Sequence, residues 1–211
     1  MNRLFLFDFD GVVVDSLDLY ESAVNLCLKK IGAEPIRNRT DFLALFEENF
    51  YEGIEKKGVD IKAFTAASAC IAPTLNYELV RPHNSLLPVL IELKKGHRLS
   101  IVSSNSSFAI RLIFKDIDSY FEHIFGYEFM FSKIDKIAHA MDLFGIRKES
   151  TYYVGDTTGD IREAKMAGVH TVAVTWGWHS RERLKRACPD YLIDSPCDLL
   201  KLNSKAISSR T

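Results

Sequence analysis

Cysteine is scarce in this chain, four in 211 residues, and Cys27, Cys70, Cys188 and Cys197 neither form a Cys-x-x-Cys pair nor stand at metal-ligand spacing. That excludes a disulfide-stapled scaffold and a thiolate zinc centre, and free thiols are expected. The six histidines are scattered, which gives an imidazole zinc site no support either. An excess of charge of one sign is also missing: 27 basic residues meet 28 acidic ones, a formal net charge of -1. Nothing in that balance calls for nucleic acid or an anionic membrane as a partner. No apolar run reaches the roughly 18 residues of a membrane span. The N-terminus has no basic region leading into an apolar segment and cleavage site, so a cytoplasmic protein is expected. Internal repeats and low-complexity tracts are absent. Hydrophobic content of 47% and charged content of 26% are ordinary for a globular protein, and the length suits one domain or one domain carrying an insertion.

The stretch Arg3-Leu-Phe-Leu-Phe-Asp-Phe-Asp-Gly-Val-Val-Val-Asp-Ser16 organises the rest. Leu4 to Phe7 form a short apolar run suited to a strand buried on both faces, and Asp8 and Asp10 follow at its end. Period-two geometry places these carboxylates on the same side, and Gly11 lets the chain turn away. Adjacent like charges at the mouth of a buried strand repel, and a hard cation such as Mg²⁺ is the usual offset. Taken alone, Asp-x-Asp reads equally well as a solvated turn.

After Ser16 the period changes to that of a helix, with Leu17, Tyr20, Val24, Leu28 and Ile31 on one face. Ser16 or Asp15 is positioned to cap its start and Gly32 follows its end. Helical segments continue to residue 80, punctuated by Pro35, Gly53, Gly58 and Pro73. Roughly 65 residues of helix between the first strand and the next is far more than a strand-helix connection needs. Residues 16–80 are therefore read as an inserted α-helical cap, and residues 1–15 with 81–211 as the core.

From Pro82 a strand-helix alternation begins. Helices are predicted over 84–95, 108–114, 134–144 and 161–167. Strands are predicted over 99–103, 124–127, 152–154, 171–174 and 191–193, and a frayed polar tail over 203–211. The alternation implies an α/β fold: a Rossmann-like open parallel sheet with helices on both faces and ligand sites at the C-terminal strand ends. Three stretches then end strands at one sheet edge: Asp8 and Asp10; Ser103, Ser104 and Asn105; and Gly155-Asp-Thr-Thr-Gly-Asp160. Lys133 opens the helix after the third strand.

Each residue type has a task if the substrate is a phosphate monoester. A carboxylate can split the displacement into two steps through an aspartyl-phosphate. A protonated carboxyl beside the leaving oxygen, Asp10, would donate a proton and then activate water. Asp8 and Asp156 supply hard oxygen ligands for Mg²⁺. The Ser103 hydroxyl, nearby backbone N–H groups and the Lys133 ammonium would stabilise charge on the phosphoryl oxygens. Ser104 competes with Ser103, because one residue of register exchanges them. Lys136, one helical turn on, competes with Lys133. Asp160 is also placed to cap the following helix.

Together, Asp8-Phe-Asp-Gly-Val12, Ser103, Lys133 and Gly155-Asp-Thr-Thr-Gly-Asp160 resemble the four motifs of the haloacid dehalogenase-like hydrolase superfamily. The long helical insert is similar to its phosphoglycolate phosphatase-like branch, which carries an α-helical cap over a Rossmannoid core. The resemblance implies Asp8 as nucleophile, Asp10 as acid/base and a Mg²⁺ ligand through its carbonyl, and Ser103 and Lys133 as phosphate binders, with Ser104 read beside them as giving its backbone N–H. It implies Asp156 as a further metal ligand, with Asp160 positioning it or a metal-bound water. Val12 stands where many relatives have Thr, as it does in β-phosphoglucomutase-like members, which keeps a phosphomutase open beside hydrolysis. A non-catalytic interaction protein on the same scaffold would break a motif, and none is broken. Asp10 argues against a carbon-halogen substrate, because the dehalogenase branch lacks it. The expected partner is a small phosphorylated metabolite: a phosphoglycolate-like compound, a sugar phosphate or a nucleoside monophosphate. The protein is expected to be a monomer or homodimer. Trp176 and Trp178 are read as loop-to-core packing, His83 and His179 as surface or hinge residues. Glu47, Glu48, Asn49, Tyr51, Lys56 and Lys57 are the cap residues from which a few would face the substrate.

Overall fold

A computed structural model describes residues 2–204. The chain opens with β1 (Leu4–Phe7), buried along its whole length. A two-residue strand, β2 (Val14–Asp15), leads into four helices: α1 (Leu17–Lys30), α2 (Arg39–Ala44), α3 (Phe50–Glu55) and α4 (Ile61–Ile71). A second short strand, β3 (Arg81–Pro82), returns antiparallel to β2, with Val14 opposite Pro82. Alternation then runs α5 (Leu87–Lys94), β4 (Arg98–Val102), α6 (Ser107–Ile113), β5 (His123–Phe125), α7 (Lys133–Phe144) and β6 (Thr151–Gly155). It continues through α8 (Thr158–Ala167), β7 (His170–Val174), α9 (Arg181–Arg186), β8 (Tyr191–Ile193) and α10 (Asp198–Ser204).

The six longer strands form one sheet in the order β5-β4-β1-β6-β7-β8, every neighbouring pair parallel. This is the Rossmann-like α/β architecture the alternation predicts. The order reverses at β1, so the crevice beyond its C-terminal end is where a ligand site forms in such sheets. Phe7 is level with Ile101 of β4 and Val154 of β6, which brings Asp8 beside the residues that close both neighbours.

The apolar run of β1 serves two cores. Phe5 and Phe7 enter one cluster with Leu90, Leu93, Leu99 and Ile101; Leu4 and Leu6 enter the opposite one with Ile137, Tyr153 and Ala164. A strand buried on both faces has no polar alternate positions, which is why its pattern reads as continuous. Helices α1 to α4 pack around a separate cluster of Leu28, Phe42, Phe46, Phe50 and Phe64. Trp178, from the loop after β7, belongs to that cluster and packs edge-on against Phe46 at 4.9 Å between ring centroids.

Boundaries differ from the sequence reading for local reasons. The helix expected from residue 84 begins at Leu87, because Pro88 is tolerated only in a first turn. The helix expected from Ile161 begins at Thr158, since Thr157 and Asp160 form a reciprocal capping box. The third strand covers His123–Phe125 rather than 124–127, and the second ends at Val102, one residue before Ser103. The short α9, β2 and β3 have too little periodicity to be seen in sequence. Of the tail 203–211, the first two residues finish α10, and 205–211 lie outside the described residues.

Candidate active site

Asp8 and Asp10 leave β1 side by side, both buried, with exposures of 7% and 6%. The turn that follows requires Gly11: its φ is +80°, and a Cβ there would lie 2.2 Å from an Asp156 carboxylate oxygen. Asp156 follows β6 directly and is fully buried. The glycine turn thus lets the first and fourth motifs close on each other.

Lys133, at the start of α7, joins the two. Its ammonium donates to Asp8 Oδ2 at 2.8 Å and to Asp160 Oδ1 at 2.5 Å. Asp160 also performs the capping role weighed as its alternative, since Oδ2 accepts from the Thr157 N–H at 3.1 Å and hydroxyl at 2.7 Å. Lys136, the competitor of Lys133, points elsewhere: it is fully buried and donates to the Ser103 carbonyl at 2.6 Å, holding the end of β4. Ser103 and Ser104 both line a small pocket with Asp8, Asp10, Lys133 and Thr157. The structure thus brings both serines to the same pocket.

Asp10 is held from both sides. The Ser16 hydroxyl donates to Oδ1 at 2.6 Å and the Asn105 amide to Oδ2 at 3.0 Å. Ser16 precedes α1 but makes no side-chain cap bond, contrary to the capping expectation, because its hydroxyl is committed to Asp10.

Burial dominates the electrostatics. It pushes the Asp10 carboxyl up to about 7, moderated by the Ser16 and Asn105 hydrogen bonds. Burial also raises Asp8, against the Lys133 charge, and raises Asp156 well above the carboxylate range, helped by the neighbouring Asp160 and Asp8 charges. At Asp160 burial acts upward too, but the Lys133 charge and hydrogen bond outweigh it and the pKa falls. Lys133 lies well above its ordinary value: burial opposes its charge, and Asp160 and Asp8 outweigh burial. Lys136 is lowered to about 7 by burial and by the charge of Lys133.

Asp8, Asp156 and Asp160 each offer an oxygen within 4.8 Å of the others. Asp156 Oδ1 is buried and has no hydrogen-bond partner, while Oδ2 accepts from the Trp178 N–H at 2.6 Å. Both Asp160 oxygens are already engaged. The three clustered carboxylates of Asp8, Asp156 and Asp160, one with a bare buried oxygen on Asp156, fit a hard divalent cation.

The helical segment reaches into the same region. The Tyr51 hydroxyl donates to the Ser104 carbonyl at 2.7 Å, and the Asn49 amide to Glu163 Oε1 at 3.0 Å. The Gly159 N–H donates to the Phe46 carbonyl at 2.9 Å. Glu47 and Glu48 instead pair with Arg183 and Arg162, and Lys56 with Glu48, on more exposed surface. His179 is 1% exposed rather than a surface residue, because the turn after β7 carries it inward. Trp178 packs as expected, though into the helical cluster, and Trp176 donates to the Val12 carbonyl at 3.2 Å. Of the buried contributors that the motifs did not reveal, Glu163 had a signal: it lies one helical turn after Asp160 on the same face. Lys136 had the same kind of mark, one helical turn after Lys133, whereas Ser16 and His179 have none.

A model of the haloacid dehalogenase-like hydrolases matches residues 5–174. A phosphoglycolate phosphatase from Synechococcus elongatus is 30% identical over 206 residues, covering 94% of this chain and 96% of that protein. The pyrophosphatase PpaX of Bacillus mycoides is 26% identical, covering 95% and 96%. The crystal structure of a predicted phosphatase from Clostridium acetobutylicum, 21% identical, superposes with a TM-score of 0.80 over 96% of this chain and 98% of that one. With its four motifs gathered at one sheet edge, the chain belongs to the haloacid dehalogenase-like hydrolase family, in the phosphoglycolate phosphatase-like branch.

Proposed function

We propose that this enzyme is a Mg²⁺-dependent phosphatase that hydrolyses a small phosphorylated metabolite through an aspartyl-phosphate on Asp8. The supporting observation is the buried convergence of Asp8, Asp10, Lys133 and Asp156 with Ser103 and Ser104 at the end of β1. Asp8 attacks phosphorus, the bond to the leaving oxygen breaks, and that oxygen takes the proton of the Asp10 carboxyl. Asp10 then removes a proton from water, whose oxygen attacks the same phosphorus and returns Asp8 as a free carboxylate. Lys133 favours the ionised form of Asp8 against its burial and, with the two serines, offsets charge on the phosphoryl oxygens. Asp8 and Asp156, with the Asp10 carbonyl, would hold Mg²⁺, which when bound screens the repulsion between carboxylate and phosphate. Asp160 positions Lys133.

Residues 16–80 act in this reading as a cap that excludes water from a core made of 1–15 and 81–211. The reading takes the protein as a cytoplasmic monomer or homodimer; among the described residues no helix is long and apolar enough to cross a membrane. The test is free phosphate release from a panel of phosphorylated metabolites, with and without Mg²⁺, beside Asp8→Asn. Metal-dependent release that the variant abolishes is expected. Release that survives the substitution, or that needs no divalent metal, overturns the reading, and a hexose monophosphate converted to its isomer without free phosphate identifies a mutase.

A further inference from the structure

A second cavity opens from the phosphate pocket, and its walls describe the part of the substrate that leaves. It lies between α1, α4 and α6, with a volume of about 60 Å³. Asp10, Tyr20 and Ser104 line both this cavity and the small pocket that holds Asp8, Ser103 and Lys133. The two cavities therefore adjoin, with Asp10, Tyr20 and Ser104 between them. A phosphoryl group against Asp8 places its ester oxygen beside Asp10 and its leaving group in the cavity.

Six aromatic rings line that cavity: Tyr20, Phe50, Tyr51, Phe64, Tyr77 and Tyr127. Aliphatic side chains of α1 and α4 fill much of the remainder. The polar groups are hydroxyls, one thiol and the Asn105 amide, and no Lys, Arg or His is among the lining residues. The one charged lining group is the carboxyl of Asp10. An anionic leaving group would enter a desolvated space with no cation to pair it and with a carboxyl at its entrance. Burial of an unpaired anion is strongly unfavourable, whereas a flat apolar ring gains contact with aromatic walls.

Resting on the phosphatase reading, we propose that the substrate is a phosphate monoester with an uncharged, ring-bearing leaving group. Its recognition uses aromatic packing and neutral hydroxyl or amide hydrogen bonds, not ion pairing. This separates the chain from relatives named for phosphoglycolate and pyrophosphate, whose leaving groups are anionic.

The experiment compares benzyl phosphate with phosphoglycolate and inorganic pyrophosphate on the full chain with Mg²⁺. Benzyl phosphate and phosphoglycolate both release a primary alcohol, so the comparison isolates ring against carboxylate. A kcat/KM for benzyl phosphate at least about tenfold above both anions is expected, the ratio that about 1.4 kcal/mol produces. Phosphoglycolate or pyrophosphate turned over as well or better overturns the substrate class and leaves the phosphatase standing. No turnover of any compound overturns the phosphatase reading. Binding to Asp8→Asn, followed by intrinsic fluorescence, then still tests the cavity, because equal affinity for the three probes overturns the inference. Leu75→Arg adds a cation to the cavity wall away from the reacting groups. It should move the benzyl phosphate to phosphoglycolate ratio about tenfold toward the carboxylate, and an unchanged ratio counts against the assignment.

Discussion

His179 fastens α2 to the core through Leu43. Its Nδ1 accepts the Thr158 N–H at 3.0 Å, which fixes the proton on Nε2, and Nε2 then donates to the Leu43 carbonyl at 3.0 Å. One neutral imidazole thus spans the start of α8 and the end of α2, and a protonated ring would set two N–H groups against one acceptor and one donor.

This makes stability pH-dependent with a definite sign. Burial holds the His179 pKa down to about 4, against 6.5 as a free side chain. Between those values the unfolded chain binds more protons than the folded one, so stability is lost as pH falls through the window. Urea denaturation at pH 7 and pH 5 should differ by about 2 kcal/mol more in the wild type than in His179→Leu. Equal pH slopes in the two proteins would remove the imidazole from the account.

Gly159 brings the backbone of α8 against that of residues 46–48. A Cβ there would stand 2.1 Å from the Glu48 carbonyl oxygen and 2.9 Å from that of Phe46. Gly159→Ala suits a helix interior by up to about 1 kcal/mol, so α8 should be intact while residues 46–48 are displaced. A fall of about tenfold in kcat/KM is expected, with faster hydrogen exchange over 46–48 and no loss of core protection.

For Asp10 the raised pKa of about 7 places the acid form at neutral pH. In the proposed mechanism that proton goes to the leaving oxygen in the first step, so kcat should decline as pH rises past about 7. Asp10→Asn should lower turnover by about 10² or more, and the residual rate should lack that alkaline limb.

Lys133 neutralises two buried carboxylates at once, Asp8 and Asp160. Lys133→Met leaves both without their cation, a loss of about 3–5 kcal/mol for breaking a buried pair. Chemical denaturation should register that loss. Lys133→Met with Asp160→Asn should recover part of the stability without recovering phosphate release, which separates the structural role of the ammonium from its role beside Asp8.

Much of the site was legible because its markers are local. The apolar run Leu4 to Phe7, the carboxylates that end it and the Gly155-Asp-Thr-Thr-Gly-Asp160 turn are contiguous, and strand ends in a parallel sheet share one edge. The extent of α8 was hidden for the same reason Asp160 is informative: one carboxylate both caps the helix and holds Lys133. The boundary of α5 followed Pro88 rather than the apolar periodicity.

By itself the sequence determined the parallel sheet, the helical insertion and the four stretches that meet, since periods of two and 3.6 and an ordered set of motifs are properties of neighbouring residues. The tertiary structure decided the partners: Asp8 for Lys133, which the motif resemblance already favoured over Lys136, Asp10 for Ser16 instead of a helix cap, and Leu43 for His179. These pairs lie 125, 6 and 136 residues apart. Whether the separation is long or short, a buried polar group takes the partner that packing brings within reach, and no sequence period encodes that choice.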